Sequence, residues 1–251
     1  MYFRIIASGS KGNCTLIRYK NTVILIDMGI TLTLLKENLE LEGLTVSDIN
    51  GVIFTHDHGD HIRGLKFFSP KICYALDRTL PSASSNVCEV FKPFEIKDIK
   101  ITPLMTSHDA TNPCGYYLEC GDENMVYITD SGHFCRENLN FINNPTYLIL
   151  ESNHDIQMLL RTNRPQLLKD RILSDHGHLC NEDSAFAALD IIGNKTKEII
   201  LAHLSEEANT PEKALEAWES IFKYKGVNFA KYNIRCAHQR IPLIGGSGYE
   251  N

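Results

Sequence analysis

Short apolar runs and turn residues alternate along the whole chain. Residues Tyr2 to Ile6, Thr15 to Tyr19 and Val23 to Ile26 predict three strands, with Asn21 turning the last two into a hairpin. From Thr31 to Leu41, apolar positions at Leu34, Leu35 and Leu39 predict a helix that stops near Gly43. Further strands are expected at Val52 to Phe54, Ile72 to Ala75, Gly115 to Glu119, Met125 to Thr129 and Tyr147 to Glu151. Ile96 to Lys100 and Ile101 to Leu104 read as a bent pair or hairpin. The C-terminal half carries clearer helices. Asn181 is placed to cap one, Glu182 and Asp183 favour its N-terminus, and Ala185, Ala188, Leu189 and Ile192 make its stripe up to Gly193. Thr210-Pro211 opens the next, with Ala214, Ala217, Trp218 and Ile221 facing inward. Val227 to Tyr232 and Arg240 to Ile244 are expected as the last strands, and 245–251 as a frayed tail.

Composition sharpens this only a little. The chain has 251 residues, 43% hydrophobic and 22% charged, ordinary values for a globular protein with a substantial core. The length suits one large α/β domain or two small ones. No apolar run is long enough for a membrane span, and Met1 to Ile6 lacks signal-peptide architecture, so a cytoplasmic location is the default. The eight cysteines are scattered without a C-x-x-C pair and are expected as reduced, buried thiols. A net charge of −6 argues against a strongly basic nucleic-acid binder. It does not exclude a nuclease, because bound divalent ions reverse the local charge.

The densest chemistry lies in Thr55-His56-Asp57-His58-Gly59-Asp60-His61, directly after the apolar segment Gly51 to Phe54. Imidazole and carboxylate are ligands of divalent transition metals. His56 and His58 point the same way on an extended chain. Asp60 and His61 follow at a spacing that reaches a second ion.

His56-x-His58-x-Asp60-His61 resembles the metal-binding motif of the metallo-β-lactamase superfamily. Asp27 after Val23 to Ile26, His108 in Thr106-Ser107-His108, Asp130 in Thr129-Asp130-Ser131-Gly132 and His203 in Ala202-His203-Leu204 fit the remaining motifs in order. Ser8 to Cys14, Glu151-Ser152-Asn153-His154-Asp155 and Asp175-His176-Gly177-His178-Leu179 further resemble its YycJ/WalJ-like branch, exonuclease-like hydrolases linked to DNA processing. The resemblance implies a single domain over 1–251 with a four-layer αββα sandwich. It implies two divalent ions, zinc or manganese with iron as a further candidate. His56, His58 and His108 hold one, Asp60, His61 and His203 the other, and Asp130 bridges them. Asp27 then orients a ligand from behind. A water acidified between the ions is the implied nucleophile. Asp60, His178 and Glu151 are the implied catalytic residues, His178 delivering a proton to the leaving oxygen with His176 as its rival. A histidine at position 58, where redox members of the superfamily carry glutamate, fits hydrolysis.

Lys11, His154 and His176 are candidate substrate contacts. The loop Ser8 to Asn13 could cradle an anion on its backbone N–H groups, or be a plain glycine turn. Arg161 and Arg164 form a small basic patch that reads mainly as a solvated face. The leading function is a phosphodiesterase acting on nucleic acid, with DNA as partner. Alternatives are a phosphodiesterase for a small cyclic or nucleotide substrate, and a thioester or lactam hydrolase.

Overall fold

The computed structural model describes residues 1–81, 84–142 and 144–247. The chain opens with strands β1 (Tyr2–Ala7), β2 (Cys14–Tyr19) and β3 (Thr22–Ile26), then helix α1 (Leu32–Leu41). Next come β4 (Gly51–Ile53), the short helix α2 (Gly59–Ile62), β5 (Cys73–Leu76) and β6 (Asn86–Cys88). β7 (Phe94–Ile96), β8 (Ile99–Met105), β9 (Cys114–Cys120), β10 (Glu123–Ile128) and β11 (Tyr147–Glu151) follow. Helices α3 (Ile156–Arg161), α4 (Gln166–Leu173) and α5 (Asn181–Ile191) precede β12 (Glu198–Ala202), α6 (Pro211–Tyr224), β13 (Asn233–Cys236) and β14 (Leu243–Gly246).

The strands form two seven-stranded sheets, ordered β14-β1-β2-β3-β4-β5-β6 and β13-β12-β11-β10-β9-β8-β7. Each is mixed. β3 to β6 run parallel in the first sheet, and β10 to β13 in the second. Alternate residues of one strand enter different cores, as the two-residue period of a strand requires. Ile24 and Ile26 face the core between the sheets, while Val23 and Leu25 face α1 through Leu35 and Leu39. Ile200 and Ala202 join the same inter-sheet core, while Ile199 and Leu201 pack with Ala185, Ala188, Trp218 and Phe222 of α5 and α6. Strands covered on both faces must be apolar throughout, which explains the continuous runs in the sequence. The layers are helix, sheet, sheet, helix: the expected αββα sandwich.

Several local expectations change. Phe229–Lys231 is a 3-10 turn whose Phe229 ring packs edge-on to Phe222 under α6, so the predicted strand at Val227 to Tyr232 starts later, at Asn233. The final strand is shifted from Arg240–Ile244 to β14, two residues beyond its expected end. Gly245 and Gly246 therefore belong to the sheet, where Gly246 N donates to Glu198 Oε2 at 3.0 Å. Ser247 N donates to Met1 O at 2.8 Å, so the tail is ordered this far, and 248–251 lie outside the described residues. The cap of α5 is Cys180. Asn181 is instead buried one residue inside, accepting from Ser152 Oγ at 2.7 Å and donating to Asn209 Oδ1 at 3.0 Å. β6 and α4 had no clear sequence signal, β6 because two of its three residues are exposed. All eight cysteines are free and buried, and burial pushes their thiols up, Cys73 to about 11.

Candidate metal centre

The parallel strands end on one rim of the sandwich, where open α/β sheets present their ligands. Asp27 follows β3, the His56–His61 segment follows β4, and His203 follows β12. Asp130 lies two residues beyond β10 and Glu151 ends β11. β8 runs antiparallel to β9, and β9 to β10, so His108 emerges on the same rim. Asp27, Asp130 and His203 all have left-handed backbones, with φ of 60°, 56° and 55°. Such a conformation costs about 1–2 kcal/mol per residue in an L-amino acid and collects at functional sites. Each turns the chain sharply at a strand end, so that the following segment clears the sheet. Gly29 allows a close approach here, since a Cβ would lie 1.5 Å from the Asp60 carbonyl oxygen.

All seven residues with implied metal-ligand roles converge on this rim. Ligand atoms lie within 4.8 Å of one another in the sets His56-His58-His108, His56-His61-Asp130 and Asp60-His61-His203. A fourth set, Asp130-Glu151-His178-His203, meets the same distance. Hydrogen bonding accounts for Glu151 there without an ion.

The hydrogen bonds fix which nitrogen of each ring faces inward. Asp27 is fully buried and accepts from Thr55 N at 2.8 Å, Thr55 Oγ1 at 2.9 Å and His61 Nδ1 at 2.8 Å. The Thr55 hydroxyl donates its hydrogen bond to Asp27, so its oxygen accepts from His56 Nδ1 at 3.0 Å. His108 Nδ1 donates to Gly177 O at 3.0 Å, and His203 Nδ1 to Glu151 Oε1 at 3.0 Å. In all four rings Nδ1 is committed outward as a donor, so Nε2 is the atom each can offer to a metal. Among the described residues, His56 Nε2, His203 Nε2 and Asp130 Oδ2 are buried without a hydrogen-bond partner. Orphaned buried polar atoms are costly, and a cation among them removes the cost. The donor set is nitrogen and oxygen only, and it fits divalent ions.

The electrostatics divide the rings. Burial lowers His56 and His108. Against burial, Asp130 and Glu151 raise His203 to about 9, and Asp27 and Asp130 raise His61, so these two favour a proton that a bound cation would displace. Burial pushes the Asp130 carboxyl up, but His203, His61 and His56 around it hold it well below the usual range. Burial, reinforced by His61, holds His56 well below the usual histidine range, leaving it neutral as a ligand must be.

Glu151 is fully buried and shared. Its Oε1 accepts from His178 Nδ1 at 2.8 Å as well as from His203, and its Oε2 accepts from Ser131 N at 2.9 Å and Leu179 N at 3.2 Å. Burial raises this carboxyl, but His178 and His203 bring it down to about 2. His178 is only 16% exposed, and its Nδ1 lies 3.7 Å from Asp130 Oδ1. His176 is exposed and bonds Ser107 Oγ at 3.0 Å. His154 is buried, with both ring nitrogens unpartnered among the described residues.

The loop from Ser8 to Asn13 has five of its six N–H groups, all but that of Ser10, bonded among the described residues, which leaves no cradle of convergent donors for an anion. Gly9 N donates to Asn13 Oδ1, Lys11 N to Gln239 Oε1, Gly12 N to Gly9 O and Asn13 N to Asp60 O. Lys11 itself pairs with Glu206. The loop instead buttresses the centre, placing Asn13 Nδ2 3.0 Å from His61 Nε2. Asn13, Thr55 and the Gly177 carbonyl escaped the sequence reading. Thr55 and Asn13 sit inside the quoted motifs, whereas a carbonyl leaves no sequence signal.

A family model described as Beta-lactamase superfamily domain matches residues 22–204. Exodeoxyribonuclease YycJ of Bacillus anthracis is 32% identical over 256 residues, covering 96% of this chain and 97% of that protein. Exodeoxyribonuclease WalJ of Streptococcus pneumoniae is 33% identical over 227 residues, covering 84% of each. The crystal structure of the metallo-β-lactamase fold protein YhfI from Bacillus subtilis superposes with a TM-score of 0.69 at 17% identity, over 97% of this chain and 99% of that one. No helix among the described residues is long and apolar enough to cross a membrane. Inward imidazole nitrogens gathered around an ionised aspartate at the rim of an αββα sandwich agree with these matches, and the chain belongs to the β-lactamase superfamily as a metal-dependent hydrolase.

Proposed function

We propose that this hydrolase is a two-metal phosphodiesterase acting on nucleic acid, with DNA as its substrate and a strand end as its point of attack. The observation that carries this reading is the His178–Glu151 pair beside Asp130. Cleaving a phosphodiester expels an alkoxide, which needs a proton as it leaves; expelling a thiolate needs little help. A half-enclosed imidazole next to the ligand cluster meets the first need. The exodeoxyribonuclease names of two relatives support DNA over other diesters.

His56, His58 and His108 are assigned to one ion, Asp60, His61 and His203 to the other, and Asp130 to both. Zinc, manganese or iron suits these donors. Bound there, the ions supply positive charge to the substrate oxygens and acidify water. The chain's own groups do the rest. Asp27 holds His61, and through Thr55 also His56, in one tautomer. Glu151 holds His203 the same way and accepts from His178 Nδ1, which sets that ring's orientation. His178 gives the proton from Nε2 to the departing sugar oxygen. His176, bonded to Ser107 and exposed, is left outside this transfer.

The test is add-back of manganese and zinc, separately, to chelated protein with end-labelled single- and double-stranded DNA, RNA and bis-p-nitrophenyl phosphate. Metal-dependent shortening of DNA from one end is the expected result. Hydrolysis of the small diester with all nucleic acid left intact overturns it in favour of a small-molecule phosphodiesterase.

A further inference from the structure

Beyond His203 a groove of about 410 Å³ opens between residues 204–211 and 237–241. That volume lies within the roughly 300–1,000 Å³ of small-ligand sites. We propose that this groove binds the nucleotide flanking the scissile phosphate, with Arg240 taking that nucleotide's own phosphate. The proposal rests on the phosphodiesterase reading above and names a binding site for its substrate.

Three observations converge on it. The first is charge. Arg4, Arg136, Arg164, Arg171 and Arg235 each pair with a carboxylate. Arg240 is exposed and has no hydrogen bond or ion pair among the described residues, and the acid at this groove, Glu206, is engaged by Lys11. On a chain of net charge −6, an unpaired arginine in a groove that starts at the residue after His203 is a place for an anion. The second is surface chemistry. Leu204 and Ile241 give the groove apolar walls that suit a base or sugar face, and Ile241 is 65% exposed with nothing covering it. Thr210 Oγ1 accepts from Lys213 N and its hydroxyl donates to the Glu212 carboxylate, so the groove's recognition rests on Arg240 and the apolar walls. The third is mechanical. Gln239 accepts from Lys11 N at 2.8 Å and donates to Gly12 O at 3.1 Å, and Ser8 N donates to His238 O at 3.2 Å. Ser8 Oγ in turn accepts from His203 N at 2.8 Å. The segment bearing Arg240 is thus fastened to the loop that braces Asp60, His61 and His203. A phosphate at the ions and a second at Arg240 are held by one connected wall.

The test is calorimetric titration of the manganese-loaded protein with thymidine 3′,5′-bisphosphate, thymidine 5′-monophosphate and inorganic phosphate. The bisphosphate is expected to bind about tenfold more tightly than the monophosphate, the size of one charge-assisted hydrogen bond. Arg240→Ala should erase that advantage and leave the affinity for inorganic phosphate unchanged. Ile241→Asp should weaken both nucleotides and spare inorganic phosphate. Equal affinities for the two nucleotides in the wild type, or an advantage that survives Arg240→Ala, overturns the assignment. Because the readout is binding, an Arg240-dependent preference in a protein that leaves DNA uncut supports the groove and refutes the DNA reading separately.

Discussion

Asp27 leaves the end of β3 in the first sheet, and Glu151 ends β11 in the second. Both are fully buried carboxylates lying beneath imidazoles. Asp27 serves one proposed ligand directly, His61, and reaches His56 through the Thr55 hydroxyl. Every contact it makes is to a ligand or to the strand that carries one, so its half of the site only holds. Glu151 divides a single oxygen between His203, inside the ligand cluster, and His178, outside it. One device, a carboxylate at the mouth of a parallel strand, therefore gives two results. On the first sheet it fixes geometry. On the second, under the proposed mechanism, it joins geometry to proton delivery. Partners behind metal ligands of this kind fix ring orientation and raise ligand basicity.

Four substitutions break or sharpen this contrast. Asp130→Ala removes the carboxylate common to both halves. Turnover and bound metal should both vanish, as read by small-diester hydrolysis and elemental analysis, and full activity without metal would end the two-ion reading. Glu151→Gln should cost about 10³-fold or more on DNA, because metal affinity and proton delivery fail together. His178→Ala should keep both ions and slow DNA cleavage about 10²–10⁴-fold. It should barely slow bis-p-nitrophenyl phosphate, whose leaving group needs no proton. A loss under threefold on DNA moves the acid role to His176. Asp27→Asn should lower metal affinity about 10–100-fold and recover under excess metal, with an unchanged DNA-to-small-diester ratio. If that ratio shifts as it does for His178→Ala, the two carboxylates are not different in kind.

Much of this was legible along the chain, for a physical reason. Strands buried on both faces must be apolar, so Val23 to Ile26 and Ile199 to Ala202 announce themselves. A polar residue directly after such a run, as at Asp27 and His203, marks a strand end where something must satisfy it. The His56–His61 cluster is local and needed no folding to be seen. What stayed hidden is long-range. The Ser8–Asn13 loop looks like an anion cradle until the fold brings Asp60 and Gln239 against its donors. Val227 and Phe229 look strand-like until Phe229 meets Phe222. Asn181 looks like a cap until Ser152 and Asn209 claim its amide.

The scatter of the site along the chain bears on how the protein folds. Its parts come from eight separated stretches (8–13, Asp27, 55–61, 107–108, 130–131, 151–154, 176–178 and His203), and the hydrogen bond from His203 N to Ser8 Oγ joins residues 195 positions apart. Long-range pairing of parallel strands is slow, because chain closure must precede the contacts that reward it. No early fragment contains both Asp27 with its imidazoles and Glu151 with its own. In a refolding experiment, metal-dependent turnover should therefore return after the bulk of the secondary structure, making catalysis the clock for the last step of assembly.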